Sequence, residues 1–288
     1  MSAPQLVSAV ITTHNRPELL KRAVESVLQQ TYPNIELIVV DDKSVPGTND
    51  FCKAMPLTYI YIPAAESKGG NHARNVGIMA AKGEYIAFLD DDDSWMPEKI
   101  EKQVRLIEEK KCPLVYCGMK KEIVSKKGIS YKDRLPNPQY FGDMSRKILT
   151  TISCCLSSTM LIKKSILVEA GMFDETLDFW QDYELSIRIA QMGEFHFVNE
   201  PLILYRINKK DKARLTNKYF RWLEAVRYIR KKHRKLFEKL SNREKITVRF
   251  QFCYDAADRC GAEGLVLRKW RYKIEVIFLK VLLRLYPR

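Results

Sequence analysis

The chain of 288 residues has no stretch of roughly twenty apolar residues, the length that a helix needs to cross a bilayer. Its seven cysteines are an odd number and include no Cys-x-x-Cys pair of the kind that binds zinc. The first five residues lack the charged-then-apolar pattern of a secretory signal. We therefore expect a chain that does not span a membrane and that lies in the reducing environment of the cytosol.

Acidic residues are scarce towards the end of the chain. Residues 206–288 contain 25 Lys and Arg against 8 Asp and Glu, a net charge of +17, whereas residues 1–205 contain 24 against 27. A hydrophobic content of 46% is enough to bury a full core. We expect a domain at 1–212 and a basic, amphipathic helical region at 213–288, with different partners for the two.

Short apolar runs alternate with helical patterns in the N-terminal part. Residues 6–12 and 35–40 predict strands on either side of a helix at 17–30, which is a βαβ unit with parallel strands. Further strands are predicted at 57–62 and 85–89. The order is typical of an α/β fold with a mainly parallel sheet flanked by helices.

The pattern is weaker beyond residue 98. A helix is predicted at 98–110, and the Lys-rich stretch 120–138, with two prolines near its end, predicts an exposed loop. Strands are predicted at 157–162, 195–198 and 202–205. From about residue 213 onward the chain is expected to be helical.

Four consecutive aspartates, at positions 90–93, follow the strand predicted at 85–89. Carboxylates spaced Asp-x-Asp can bind Mg²⁺ or Mn²⁺ and leave ligand positions open for the phosphate oxygens of a nucleotide-activated donor. The alternative is a solvated acidic turn that caps the helix beginning near Pro97.

Polar residues also end the two other strands of the βαβ unit, at 12–16 and 41–42. Ligands of open α/β sheets bind outside the carboxyl ends of the strands, so these segments and the four aspartates should meet at one crevice. That convergence favours a functional site over a turn.

Five segments in order along the chain carry a resemblance to a known family. They are VSAVITTHNRP at 7–17, PNIELIVVDD at 33–42, ARNVG at 73–77, KGEYIAFLDDDDSW at 82–95 and WQDYE at 180–184. Over roughly residues 5–206 the chain resembles a family 2 glycosyltransferase with the GT-A fold. The resemblance implies a Rossmann-like domain that transfers a sugar from a nucleoside diphosphate sugar, most often a UDP-sugar, to an acceptor hydroxyl with inversion at the anomeric carbon.

The resemblance assigns a divalent metal, Mn²⁺ or Mg²⁺, to the aspartate cluster. Asp92 would be the principal ligand, with Asp90 helping directly or through water, and Asp91 would face the ribose or the donor sugar. Which of the four aspartates touches the metal stays open at this point. A cation there would stabilise the charge that develops on the diphosphate leaving group.

The same resemblance gives Asp42 the role of accepting a hydrogen bond from the uracil N–H, and the alternative is a carboxylate that only stabilises a turn. Thr12 and His14 would line the nucleoside pocket, with Arg16 nearby. Arg74 would face the nucleotide or tie the acidic cluster together, and the alternative is a plain intramolecular ion pair.

Asp182 is the candidate general base, because inversion needs a carboxylate on the face opposite the leaving group. The alternative is a helix-start aspartate that interacts with the helix dipole. Trp180 could hold the acceptor sugar ring, and Gln181 stands where many relatives have Glu, which leaves a single base.

A second departure from the family pattern is Asn208, where many relatives have a histidine that approaches the metal or the diphosphate. Arg206, Lys209 or Lys210 could supply positive charge instead, and residues 208–216 could form a lid over the donor.

Helical projection of residues 266–286 gives an amphipathic helix with an apolar face and an adjacent basic stripe. The apolar face comprises Trp270, Ile274, Ile277, Phe278, Val281 and Leu285, and the stripe comprises Lys269, Lys273, Lys280 and Arg284. Such a helix can lie on an anionic membrane. The alternative is that the apolar face packs on the catalytic domain. Nucleic-acid binding is not expected, because the chain has no recognisable nucleic-acid module.

Together these features predict an inverting, metal-dependent glycosyltransferase, peripheral on the cytosolic face of the cell membrane. Its acceptor would be a glycan or a lipid-linked glycan, such as a polyprenyl-diphosphate-linked glycan or a lipopolysaccharide core, in bacterial surface polysaccharide synthesis. One alternative is a nucleotidyltransferase, although residues 12–16 lack the glycines of a phosphate-binding loop. The other is a catalytically silent protein that binds nucleotide sugars.

Overall fold

The computed structural model of the protein describes residues 4–126, 128–151, 156–208 and 218–286. The described residues divide into two units. The first takes those within Met1–Met144, Ser153–Thr176 and Gln181–Lys210, and the second those within Ser145–Ile152, Leu177–Trp180 and Asp211–Arg288. The domain boundary predicted at 212–213 lies outside the described residues.

Half of the sheet in the first unit is parallel, in the order β3-β2-β1-β4. Its strands are β1 (Val7–Thr13), β2 (Ile35–Asp42), β3 (Thr58–Ile62) and β4 (Tyr85–Asp90). Helices α1 (Pro17–Leu28) and α2 (Gly70–Ala80) lie in the connections between them. Strands β1, β2 and β4 are rich in buried apolar residues because both faces of a parallel sheet are covered, whereas β3, at the end of the strand order, is only partly buried. The predicted α/β fold is confirmed.

The other half of the sheet is mixed. It is built from β5 (Ser94–Trp95), β6 (Leu114–Ser125), β7 (Gly128–Arg134), β8 (Leu161–Lys163) and β9 (Phe195–Asn208). Strand β8 is antiparallel to β4 and to β6, whereas β9 is parallel to β6 and antiparallel to β5. Within the described residues the sheet therefore has nine strands.

The prediction of an exposed loop at 120–138 is wrong for most of its length. Strand β6 continues to Ser125 and pairs with β7 in an antiparallel hairpin, with Gly128 at φ +113° beside the turn. The side chains of β7 are exposed, so the pairing rests on backbone hydrogen bonds, which polar side chains do not prevent. Ile129 and Tyr131 alternate with Ser130 and Lys132, but this alternation is short and neither apolar side chain is buried, so it did not predict the strand.

Two other strand predictions also change. Residues 157–159 form a short 3-10 turn rather than the start of a strand, and β8 begins only at Leu161. The strands predicted at 195–198 and 202–205 are one strand, β9, whose pairing shifts register opposite Cys117 and Gly118. Because the pairing of β9 with β6 is irregular at this point, the sequence pattern resembles two strands with a gap between them.

Further helices in the first unit are α3 (Lys99–Lys110), α4 (Lys164–Glu169) and α5 (Gln181–Ile189). Helix α1 starts with Pro17 in its first turn and buries Leu20, Val24 and Val27 at helical spacing. These side chains share a hydrophobic core with residues of β1, β2 and α3. Helix α2 instead approaches the sheet through Gly77, next to Val10 and Val40.

The second unit contains helices α6 (Tyr219–Lys232), α7 (Arg234–Glu238), α8 (Asn242–Ala262) and α9 (Val266–Leu285). Buried Trp222 stacks on Phe252 with ring centroids 5.1 Å apart. Arg249 of α8 forms an ion pair with Glu275 of α9 at 2.5 Å. Among the described residues, we find no helix with both the length and the apolar composition needed to span a bilayer.

We predict that Gly77→Ala lowers the free energy of unfolding by roughly 1–3 kcal/mol, because the added Cβ would lie 2.4 Å from Val10 Cγ1. Denaturant unfolding measures the change. Met79→Ala is the control, since Met79 lies on the same helix and is exposed. Equal unfolding midpoints for the two variants would contradict close packing of α2 on the sheet.

Candidate active site

The carboxyl ends of β1, β2 and β4 lie together at one edge of the sheet. In the parallel register, Thr12 pairs with Val40 on one side and with Asp90 on the other. Thr13 Oγ1 donates a hydrogen bond to Asp91 Oδ2 at 2.8 Å, and His14 Nδ1 donates to the Asp42 carbonyl at 2.7 Å. The three polar segments that the sequence analysis singled out are thus brought into direct contact.

The structure separates the four consecutive aspartates into two kinds. Asp91 is buried and accepts hydrogen bonds from Thr13 and from Arg16 Nη1 at 3.1 Å. Asp93 is buried as well, whereas the side chains of Asp90 and Asp92 are 29% and 39% exposed. A solvated acidic turn does not describe this cluster, and Glu98 rather than an aspartate is at the N-cap of α3.

Two distant segments hold Asp93. Ser158 Oγ donates to Asp93 Oδ2 at 2.8 Å, and the backbone N–H of Arg206 donates to Oδ1 at 3.1 Å. Burial, and then the neighbouring charges of Asp92 and Asp90, raise the pKa of Asp93 well above its ordinary value. Through these two hydrogen bonds, Asp93 links the end of β4 to Ser158 and to β9.

Arg74, on α2, is the buried counter-charge of the site. Its Nη2 donates to Asp90 Oδ1 at 2.7 Å. Burial alone would lower the pKa of Arg74, but the charges of Asp90 and Asp182 outweigh burial, so the pKa is raised. These contacts agree with two of the readings of Arg74, a residue that ties the acidic cluster together and a plain intramolecular ion pair, and its contact with the nucleotide stays a prediction.

Asp90 and Asp92 offer hard oxygen donors for a divalent cation. Among the described residues there is no group of three or more His, Cys, Asp or Glu side chains arranged to hold a metal ion. Two carboxylates still suit Mg²⁺ or Mn²⁺, which commonly take their remaining ligands from water and substrate phosphates. Arg16 Nη1 lies 3.7 Å from Asp92 Oδ2, so a bound cation would share this carboxylate with Arg16.

At the end of β9, Arg206 is bound to Glu122 through Nη1 at 2.9 Å. Asn208 is exposed and is the last described residue of this strand. Lys209, Lys210 and the remainder of the lid predicted at 208–216 lie outside the described residues.

The two aspartates that end β2 differ in their hydrogen bonding. Asp41 accepts from the Ser44 N–H, from Asn49 Nδ2 at 2.7 Å and from the Tyr59 hydroxyl at 2.6 Å. Asp42 is buried, and its Oδ1 has no hydrogen-bond partner within the described part of the chain. Buried acceptors are normally satisfied, so Asp42 is the carboxylate with capacity for a ligand donor.

Asp182 lies in the first turn of α5, as the helix-start alternative requires. Its Oδ2 accepts from the Ser157 N–H at 3.2 Å, while Oδ1 is buried and lacks a hydrogen-bond partner among the residues described. Burial raises the pKa of Asp182 to about 6, with Arg74 opposing the rise and Asp90 adding to it. A helix dipole would lower the pKa of Asp182, so the effect of burial is larger than that of the dipole at this position.

Glu184, two residues further on, has a packing role. It is fully buried and pairs with Arg188 Nη2 at 2.6 Å. Arg188 also donates to the carbonyls of Ala170 and Met172. The Glu184–Arg188 pair thereby holds α5 against the end of α4. The two acids of the Trp-Gln-Asp-Tyr-Glu segment, Asp182 and Glu184, thus have different partners.

Trp180 belongs to the second unit, where its ring meets that of Trp222 edge-on at 5.8 Å between centroids. Its backbone has φ +56°, a left-handed conformation that is uncommon for a bulky residue. The predicted contact of Trp180 with the acceptor stays a prediction.

Thr13 was missed by the sequence analysis, which named Thr12. Side chains alternate along a strand, so Thr12 and Thr13 point to opposite faces, and only the face of Thr13 leads to Asp91. The sequence did contain a signal for Thr13, namely the alternation of side chains along β1 compared with the alternation at the aspartates that end β4.

Residues 8–171 match the model of glycosyl transferase family 2. The chain belongs to this family. It is 32% identical over 262 residues to an uncharacterized glycosyltransferase of Rickettsia typhi, covering 88% of this chain and 79% of that protein. It is 43% identical over 108 residues to WfaP of Escherichia coli, named a UDP-Glc:alpha-D-GlcNAc-diphosphoundecaprenol beta-1,3-glucosyltransferase, covering 37% and 43%.

Solved structures share the fold. TarS of S. aureus in complex with UDP-GlcNAc aligns with a TM-score of 0.59 at 17% identity, covering 95% of this chain and 89% of that one. The mannosyltransferase PcManGT of Pyrobaculum calidifontis, in complex with GDP-Man and Mn²⁺, aligns with the same TM-score and identity, covering 97% and 85%. The predicted GT-A fold and family are confirmed, and the protein is a glycosyltransferase.

We predict that Asp182→Asn stabilises the protein at pH 7.5 by about 1–3 kcal/mol and leaves its stability unchanged near pH 4. The folded pKa of about 6 lies above the ordinary value of 3.8, so ionisation in the folded state costs stability as pH rises from about 4 to 6. Denaturant unfolding at several pH values measures the difference. Asp178→Asn, at an exposed position, is the control. A loss of stability that does not depend on pH would contradict the raised pKa.

Glu184→Gln is expected to lower the free energy of unfolding by roughly 3–5 kcal/mol, because it removes the fully buried charge that pairs with Arg188, whose side chain is only 18% exposed. The matched control is Glu238→Gln, which removes an exposed pair with Arg234 at the same helical spacing. That change should have little effect on the unfolding midpoint. Equal losses in the two variants would show that burial does not distinguish these pairs.

Proposed function

We propose that this glycosyltransferase moves a sugar, with inversion, from a UDP-sugar to a hydroxyl of a glycan or lipid-linked glycan in bacterial surface polysaccharide synthesis. The observation that carries the proposal is the buried Asp182 carboxylate, whose Oδ1 lacks a partner among the described residues, next to the charges of Arg74 and Asp90. The UDP-Glc in the name of WfaP and the UDP-GlcNAc bound to TarS support the choice of donor.

The nucleoside would bind at the ends of β1 and β2. Asp42 Oδ1 is the acceptor for the uracil N–H, because it is buried and has no other donor in the described residues. Thr12 is the last but one residue of the neighbouring strand β1, and His14 is hydrogen-bonded to the Asp42 carbonyl, so both would line the same pocket. Asp91 and Arg16, which bind each other, would meet the ribose or donor sugar and the phosphates.

Asp90 and Asp92 would hold a divalent cation, Mn²⁺ or Mg²⁺, together with phosphate oxygens of the donor. When bound, the cation would neutralise charge on the diphosphate leaving group. The partial exposure of these two carboxylates and the Mn²⁺ bound to PcManGT support this assignment. Arg74 would keep Asp90 oriented towards the site through its 2.7 Å ion pair.

Asp182 would act as the general base. It takes the proton from the acceptor hydroxyl while that oxygen bonds to the anomeric carbon from the face opposite the diphosphate. The bond between the anomeric carbon and the diphosphate oxygen breaks, and UDP leaves with the electron pair. A pKa of about 6 keeps Asp182 mostly ionised at neutral pH and still able to accept a proton.

The acceptor would contact Trp180. A left-handed backbone at a bulky residue is costly, and such conformations cluster at functional sites. We place the reaction at the cytoplasmic face of the cell membrane, since the acceptor named for WfaP is linked to undecaprenol.

The decisive assay is release of nucleoside diphosphate from a panel of nucleotide sugars in the presence of bacterial membrane extract, with Mn²⁺, Mg²⁺ or EDTA. We expect one UDP-sugar to turn over and EDTA to stop the reaction. Asp182→Asn should lower kcat by roughly 10²–10⁴-fold while donor affinity is retained. Activity of the wild type should fall below a pH of about 6, as Asp182 becomes protonated.

Asp42→Ala should instead weaken binding of the UDP-sugar, measured by calorimetry, and Asp92→Asn should weaken metal-dependent donor binding. Asp178→Asn is the control, and we expect its turnover to equal that of the wild type. If no donor turns over and none binds in a metal-dependent way, the protein is catalytically silent and the assignment of the aspartates is wrong.

A further inference from the structure

Helix α9 exposes an apolar surface that is unusual for a soluble helix. Leu279 is the one residue of this fully described helix that is buried. Besides Val266 at its first position, seven large apolar side chains are between 51% and 87% exposed, and they are Leu267, Trp270, Ile274, Ile277, Phe278, Val281 and Leu285. We call this set the α9 stripe. Contiguous exposed apolar surface of this kind marks an interaction site.

The spacing of the α9 stripe makes it continuous. Apart from the adjacent residues Ile277 and Phe278, successive members are three or four residues apart from position 267 to position 285, so they follow one side of the helix. A helix of 20 residues is about 30 Å long. The apolar side therefore runs the whole length of α9, parallel to the surface that it would contact.

Positive charge flanks the stripe. Helix α9 carries six Lys and Arg residues and one acid, Glu275, which is bound to Arg249 at 2.5 Å. Lys273 Nζ lies 5.1 Å from the centroid of the Trp270 ring, so at least one cation borders the stripe directly. Such cations match a surface that carries many negative charges.

We propose that α9 lies in the interface of an anionic phospholipid bilayer, with the α9 stripe among the upper acyl chains and its Lys and Arg side chains among the phosphates. Its purpose, to bring the enzyme to a lipid-linked acceptor, rests on the proposed function, but the surface itself does not. A second copy of this chain is the weaker occupant, because two α9 helices would bring like charges together. Phosphate headgroups supply the opposite charge.

The test is sedimentation of the full chain with vesicles, without donor or metal. We expect binding to vesicles of phosphatidylglycerol and phosphatidylcholine, weaker binding to phosphatidylcholine alone, and loss of binding as salt is raised. Trp270 is 57% exposed, whereas Trp95 and Trp222 are buried. Tryptophan emission should therefore shift to the blue on binding, and Trp270→Phe should remove most of the shift.

Ile274→Gln with Ile277→Gln should weaken vesicle binding by about tenfold or more, because both residues leave the apolar stripe. Both positions are exposed, so folding should be unaffected. The matched control is Met79→Gln with Ile129→Gln, two similarly exposed apolar residues of the first unit. This control should bind as the wild type does.

The contribution of charge is tested with Lys273→Gln, Lys280→Gln and Arg284→Gln together. Each cation near an anionic surface strengthens binding about fivefold, so binding should fall by about a hundredfold. The control carries the same change in net charge on exposed lysines of the first unit, at Lys21, Lys82 and Lys132. This control should lose much less of its affinity for the vesicles.

Several results would overturn the proposal. One is a wild type that does not bind anionic vesicles, and another is equal binding by the α9 variants and their controls. A lipid-free dimer, detected by light scattering and lost in the Ile274 and Ile277 variant, would assign the stripe to a second copy. Vesicle binding needs no turnover, so a chain that binds vesicles but releases no UDP would refute the proposed function and leave this inference standing.

Discussion

The electrostatic balance at the carboxyl ends of β1, β2 and β4 is the constraint on which the candidate site depends. Carboxylates gathered at one sheet edge repel each other, and Arg74 is the buried cation that offsets the charges of Asp90 and Asp182. Arg74 can reach them because α2 packs closely on the sheet at Gly77, where no side chain intervenes. Close packing of α2 at Gly77 thus allows Arg74 of the same helix to hold its positive charge beside these carboxylates.

The site contains an ionisable group, Asp182, whose charged form is unfavourable for the folded state. Other contacts compensate for this loss of stability. Asp182 has a buried Oδ1 and a pKa raised by desolvation, and the raised pKa means that its ionised form is unfavourable at neutral pH. The fully buried Glu184, paired with Arg188, fixes the helix that carries Asp182. Two acids two residues apart therefore have opposite expected effects on stability, and this difference follows from their partners.

The second unit has a different physical character. Its interior is aromatic, around Trp222 and Phe252, and its last helix leaves an apolar stripe and a row of cations in solvent. A helix that carried its apolar residues only for packing would bury them. The first unit, with its near-neutral charge balance, supplies the candidate catalytic groups, and the second supplies the surface that we assign to the membrane.

By itself the sequence determined the α/β fold, the family and the gathering of three strand ends at one edge of the sheet. Apolar periodicity and the order of helices and strands are local features that the sequence shows directly. Parallel topology then brings the carboxyl ends of those strands to the same edge. The hairpin of β6 and β7 escaped this reasoning, since backbone pairing leaves no mark in exposed side chains. Only the tertiary structure separated Asp90 and Asp92 from Asp91 and Asp93, and Asp42 from Asp41. Those distinctions depend on partners such as Thr13, Ser158 and Tyr59, and on the depth of burial, which adjacent identical residues cannot reveal until the chain has folded.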